Sequence, residues 1–235
     1  MLGGDNAVVI ALASRRLAPQ QRNKAIFWGV FGAIALRVVL IFFALYLLAI
    51  PYLKVVGAVL LLWIGVKLLL PEPGDGEHQI DAKTNLIGAI KTIIVADAVM
   101  SLDNVIAIAG AAKGNIGLVI FGLVVSVPII VWGSKLVIKL MNRFPIVIVL
   151  GGALLGWIAG DMTASDVAWS GWFTANVPAA GLVTPALGAI LVVIIGKWIG
   201  ARQLSARGRV STDLAASGAP ASHSADNKDA PGGMR

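Results

Sequence analysis

Two stretches set an aspartate beside an asparagine inside apolar sequence: Asp5 and Asn6 in LGGDNAVVIA, and Asp103 and Asn104 in MSLDNVIAIAG. Carboxylates, amide oxygens and backbone carbonyls are hard oxygen donors that suit Mg²⁺, Ca²⁺ and Mn²⁺. Brought together, the pairs would offer two carboxylates and two amide oxygens, and a divalent cation would neutralise both charges. The plainer alternative is a polar clamp between helices. Met100 lies beside the second pair. Its thioether would favour a transition metal, but filling a gap in an apolar interface is its expected role. Asp97, Ser101 and Asn104 fall at i, i+4 and i+7, on one face of a helix. Asp103 lies well round from that face. A local opening at Ser101–Asn104 would bring the groups together, and broken helices of that kind line cavities.

An ionisable residue at mid-membrane costs at least about 2.5–3.5 kcal/mol, so it needs a partner or a task. Arg37 is therefore expected to pair with a neighbouring aspartate and hold it in place. Asp161 sits nearer a helix end.

These groups lie in a chain that is 58% hydrophobic and only 13% charged, with a mean hydropathy of +0.87. A soluble domain is about 45–50% apolar and about 25% charged, so this composition points to an integral membrane protein. There is no cysteine, which excludes disulfides, thiolate metal sites and thiol catalysis. The two histidines, His78 and His223, lie in polar segments, so neither a histidine metal centre nor a Ser-His-Asp triad is expected. No P-loop lysine motif or nucleophile elbow occurs. No enzyme activity, resident cofactor or nucleic-acid partner is expected. The net charge of +7 is read as positive residues flanking spans.

A spanning helix needs about 20 apolar residues. Seven segments are read as spans: about 1–13, 25–50, 52–70, 86–112, 117–141, 146–159 and 182–199. Pro51 ends the second. Residues 71–85 form a polar loop, rich at their start in Pro, Gly and acid. Residues 163–181 are read as an interfacial loop with Trp169, Trp172 and Phe173 at headgroup depth. Residues 201–235 are Ala, Ser, Gly, Pro and scattered charge, and are expected to be a disordered tail. Arg15, Arg16, Arg22, Lys24, Lys135, Lys139, Arg143, Arg202, Arg207 and Arg209 fall on one side of seven spans. The positive-inside rule then puts the N-terminus outside and the tail in the cytoplasm, in a bacterial-type inner membrane.

The chain repeats itself. GGDNAVVIALA resembles SLDNVIAIAGA, AIFWGVFGAIALRVVL aligns with LVIFGLVVSVPIIVWG, and VGAVLLLWIGVKLL aligns with LGGALLGWIAGDMT, Trp63 matching Trp157. Each unit, residues 1–70 and 86–162, holds three spans. Three is odd, so the second copy enters from the opposite side. Such inverted repeats place a binding site near the midplane where the copies meet. The expected fold is therefore all-α: about seven transmembrane helices as an inverted repeat of three-helix units plus a seventh helix over residues 182–200.

The combination GGDNAVVIALA, RNKAIFWG, ALR in the second span, GAVLLLWIGVKLL, DAVMSLDNV and GWIAGD resembles the TerC family of integral membrane proteins, in its YjbE-like branch, within the wider group of LysE-like exporters. The resemblance covers about residues 1–200. It implies Mn²⁺ efflux, with the motif residues falling on Asp5, Asn6, Asp97, Asp103 and Asn104, and with Asp161 where relatives have an acid closing the sixth span. In the family more helix precedes the first Asp-Asn pair. Here the sequence opens four residues before Asp5, so a shortened first helix is expected, about 13 residues covering only about 20 Å.

The expected function is export of a divalent metal, Mn²⁺ foremost, through a site between the first and fourth spans. Asp5, Asn6, Asp103 and Asn104 would be ligands, and Asp97 a further ligand or a proton carrier. Arg37, Ser101, Met100 and Asp161 would support them. The partners are the metal ion and the lipid bilayer, with a homo-oligomer compatible. Two alternatives stand: an amino-acid exporter of the LysE type, with Arg37 taking a carboxylate, and a non-transporting membrane partner that helps other proteins fold or acquire metal.

Overall fold

The computed structural model describes residues 4–71, 82–111 and 116–217. Among them the chain is helical throughout, with no strand: α1 (Gly4–Ser14), α2 (Pro19–Leu48), α3 (Leu53–Leu69), α4 (Ala82–Ala111), α5 (Ile116–Arg143), α6 (Ile146–Ala164), α7 (Ser170–Asn176) and α8 (Ala180–Ser217). Four described stretches are long and apolar enough to cross a bilayer: Pro19–Phe43, Val125–Arg143, Ile146–Ala164 and Ala180–Ser205. This is the architecture of an integral membrane protein. Large apolar side chains also cover the outside, among them Phe27, Trp28, Phe31, Phe43, Trp132 and Trp198. Inside, Leu12, Ile26, Leu61, Ile93, Leu155 and Met162 form one buried core.

Proline sets several boundaries. Pro19 opens α2 after Ala18, where its missing N–H has no intrahelical partner to lose. After α2, the turn through Pro51 places Tyr52 at φ 65°, a left-handed conformation unusual for a side chain of that size.

The helices pack in a definite pattern. α2 lies against α4 and α1 against α5, α3 against both α6 and α4, and α1 against α6. α2 and α4 run parallel: Gly29 meets Ile93, Gly32 meets Ile94, and Arg37 reaches Asp97 and Ser101. α3 and α6 run antiparallel, with Gly57 against Met162 and Gly65 against Leu155. The closest approach is α6 on α8. A Cβ on Gly156 would stand 2.3 Å from the Gly188 carbonyl oxygen, and one on Gly160 would stand 2.1 Å from that of Thr184. Without a hydrophobic drive between helices in lipid, such backbone proximity maximises dispersion contact.

Three expectations are corrected. The helix does not open at Ser101–Asn104, because α4 is continuous through those residues. An unbroken helix satisfies every backbone group internally, which the bilayer demands. The stretch 163–181 is mostly helical: α6 runs to Ala164, α7 occupies Ser170–Asn176 and α8 begins at Ala180. The tail is not disordered from residue 201, since α8 continues to Ser217. A helix already nucleated in the membrane extends without a new nucleation cost, and Ala, Arg, Leu and Gln favour it. Residues 218–235 of the expected tail and 72–81 of the expected polar loop lie outside the described residues.

Candidate functional site

The parallel packing of α2 on α4 delivers one buried polar cluster. The glycines of α2 let Ile93 and Ile94 approach, and about two turns further on Arg37 meets α4. Its Nε donates to Ser101 Oγ at 2.9 Å, and its terminal nitrogen pairs with Asp97 Oδ1. Ser101 Oγ in turn donates to Asp97 Oδ2 at 3.4 Å. The side chains of Arg37 and Asp97 are only 4% and 12% exposed. At that burial neither charge could stand alone, so each is the other's reason for being there.

α1 closes the other side. Asn6 is buried. It borders a cavity of about 10 Å³ with Val9 and Ile10 of α1 and Ile93 and Asp97 of α4. That is room for about one water-sized species. Asp5 Oδ1 accepts the Asn6 backbone N–H at 2.9 Å. A carboxylate offers about four lone-pair sites, so Asp97 keeps acceptor capacity towards this cavity beside its bonds to Arg37 and Ser101. The cavity itself is offered one amide, from Asn6, and one carboxylate, from Asp97, with the Arg37 guanidinium held against that carboxylate.

The structure therefore brings together Asp97, Ser101 and Arg37, with Asn6 across the small cavity and Asp5 at the start of the same helix. The side chains of Asp103 and Asn104 lie outside the described residues. Met100 is buried in the apolar core. Asp161 is exposed, near the far end of α6, where its carbonyl accepts the N–H of Ser165. Among the described residues, no three Asp, Glu or His side chains form a metal-binding group.

One polar residue escaped sequence reasoning. Asp166, fully buried, follows α6 and caps α3. Its carboxylate accepts the backbone N–H groups of Tyr52 at 2.9 Å, Lys54 at 3.0 Å and Val55 at 3.4 Å, and of Ala168 at 2.9 Å. Burial pushes its carboxyl up, but these four donors outweigh that and hold it below the ordinary carboxylate value. Tyr52 also stacks edge-on against Trp169, ring centres 6.1 Å apart. The available signal was negative: α3 begins at Tyr52-Leu53 with no side chain of its own to cap it.

The opposite end of the bundle is basic. Arg15 donates to the Leu68 carbonyl at 3.1 Å and Arg16 to that of Leu70, so arginines satisfy the last carbonyls of α3. Arg22 bridges the Arg15 and Leu17 carbonyls, both at 3.0 Å.

A sequence model described as "Integral membrane protein TerC family" matches residues 1–204. The membrane protein YjbE of Bacillus subtilis (strain 168) is 50% identical over 166 residues, 71% of this chain and 75% of YjbE. YceF of the same organism is 26% identical over 173 residues, 70% of this chain and 67% of YceF. The UPF0053 inner membrane protein YoaE of Escherichia coli (strain K12) is 24% identical over 220 residues, 86% of this chain but 41% of YoaE. No solved structure matches.

Proposed function

This chain belongs to the TerC family of integral membrane proteins, and on that premise we propose that it exports a divalent metal, Mn²⁺ foremost, from the cytoplasm. The observation that carries this reading is the cavity between α1 and α4, which Asn6 and Asp97 both line inside an apolar bundle, with Asp5 the neighbour of Asn6 on α1. Asp5 and Asn6 bind the ion from one half, and Asp103 and Asn104 from the other. Asp97 is a further ligand or carries the exchanged proton. Carboxylate and amide oxygens select a hard divalent cation.

The packing pattern supports an inverted repeat. Exchanging α1–α3 for α4–α6 maps α2 on α4 to α1 on α5, and α3 on α4 to α1 on α6. The third helices of the two units, α3 and α6, run in opposite directions. Transport then proceeds by rocking of one unit against the other around the site, with the N-terminus outside and α8 ending in the cytoplasm.

An amino-acid exporter would need Arg37 for the substrate carboxylate, whereas Arg37 is committed to Asp97 and the adjoining cavity is too small for an amino acid. The test is elemental analysis of Mn²⁺-loaded cells carrying the wild type or its Asp5→Asn or Asp103→Asn variant at equal membrane levels. Export predicts low manganese only with the wild type. Equal manganese in all cells, empty-vector cells included, would end the metal reading. Variants as active as the wild type would return the paired groups to a structural clamp.

A further inference from the structure

We propose that Arg37 is a resident stand-in for the transported cation: its guanidinium neutralises Asp97 while the site is empty and competes with the incoming metal for that carboxylate. This rests on the metal-export reading given above. Asp97 has two kinds of neighbour. It pairs with Arg37, whose Nε also donates to Ser101 Oγ at 2.9 Å. It also lines the small cavity with Asn6, Val9, Ile10 and Ile93, and among those described residues it alone is ionisable. Arg37 is not among them. A divalent cation entering the cavity therefore meets a carboxylate already engaged by a positive charge. Two cations on one carboxylate repel each other strongly where water is scarce, so metal binding and the Arg37–Asp97 pair oppose each other.

Packing does not call for a cation at this position. In the internal alignment, AIFWGVFGAIALRVVL over LVIFGLVVSVPIIVWG, Arg37 falls on Ile130 of α5. Both residues are buried. The equivalent place on α5 is thus filled by an apolar side chain, and replacing a buried ion pair by well-packed apolar residues is often neutral or stabilising. What Arg37 adds over an isoleucine is a charge for Asp97. A site emptied of metal then leaves no bare carboxylate in the bilayer, where it would be costly. Ser101 gives the guanidinium a second partner, so it keeps a hydrogen bond when the metal takes Asp97.

The experiment is Mn²⁺ titration of the purified full chain, read as the rise in Tm that a ligand of the folded state produces. Competition predicts that Arg37→Gln responds to Mn²⁺ at a concentration about tenfold or more below that needed by the wild type. Arg37→Lys keeps a positive charge and should stay near the wild type. Arg37→Gln with Asp97→Asn should lose the gain. If Arg37→Gln does not fold without metal, Mn²⁺ present during expression and solubilisation should restore monodisperse protein. A purely structural pair predicts otherwise: Arg37→Gln binds Mn²⁺ no more tightly than the wild type, or stays misfolded with Mn²⁺ present. Either result overturns the proposal, as does an Arg37→Lys variant that binds as tightly as Arg37→Gln, and Mn²⁺ binding by the wild type then leaves the export reading standing. No Mn²⁺ response in the wild type or in any of the three variants would end both.

Discussion

The Arg37 guanidinium and the Asp97 carboxylate neutralise each other across the contact of α2 with α4, at 4% and 12% side-chain exposure. Removing one partner leaves the other charge buried without compensation. Arg37→Gln is expected to destabilise the folded protein by about 3–5 kcal/mol, and Arg37→Gln with Asp97→Asn together by much less. Denaturation of the purified variants in one detergent checks this. A double variant as unstable as the single would show that packing, not charge, dominates at Arg37.

Asp166 predicts a pH dependence of known sign. Its folded-state pKa is depressed, so its contribution is fully present above the unfolded value of about 3.9. That contribution fades as the pH falls through that value and is lost once the folded value is passed. Asp166→Asn should therefore cost about 1–3 kcal/mol at pH 7, and the gap to the wild type should shrink as the pH drops below 4. Thermal unfolding at pH 7, 5 and 3.5 measures it. A constant gap would mean that the carboxylate charge is not what caps α3.

Gly160 makes a sharper packing prediction. A side chain there would meet the Thr184 carbonyl oxygen, which is backbone and cannot swing aside. Gly160→Leu should separate α6 from α8 and leave little folded protein, a cost of more than about 3 kcal/mol. Gly171→Ala on α7, with nothing within 4 Å of an added Cβ, should be neutral or slightly stabilising. Size-exclusion profiles of the two variants, expressed in parallel, decide it.

These residues also mark how much the sequence could disclose. That Arg37 would pair with an aspartate was legible, because a buried cation has few options, and Asp97 is the partner found. The helical membrane architecture was legible from the long apolar runs. The continuity of α4 was not: polar side chains at 101–104 looked like a reason to open the helix, yet Ser101 meets Arg37 and Asp97 with the backbone intact. Asp166 was illegible because its partners, Tyr52 to Val55, lie more than a hundred residues away along the chain. The length of α8 was missed because composition was weighed over the whole tail, whereas helix propagation depends on local propensity and on what precedes it.

The double substitution at Arg37 and Asp97 separates a structural pair from a transport site. It removes one positive and one negative charge, so the local net charge is unchanged and the fold should recover. If Asp97 is a ligand or the proton carrier, recovery of the fold will not restore export. The double variant is expected to reach near wild-type amounts in the membrane while Mn²⁺ efflux stays about 10–100-fold down, the loss typical when a residue at or next to a metal site is removed. Asp5→Asn should give a comparable loss with little change in stability, because Asp5 has no buried cation to strand. Efflux from Mn²⁺-loaded vesicles, normalised to protein in the membrane, reads both. Wild-type efflux by the double variant would reduce Asp97 to a counter-ion for Arg37 and leave Asp5 as the described carboxylate on which the site depends.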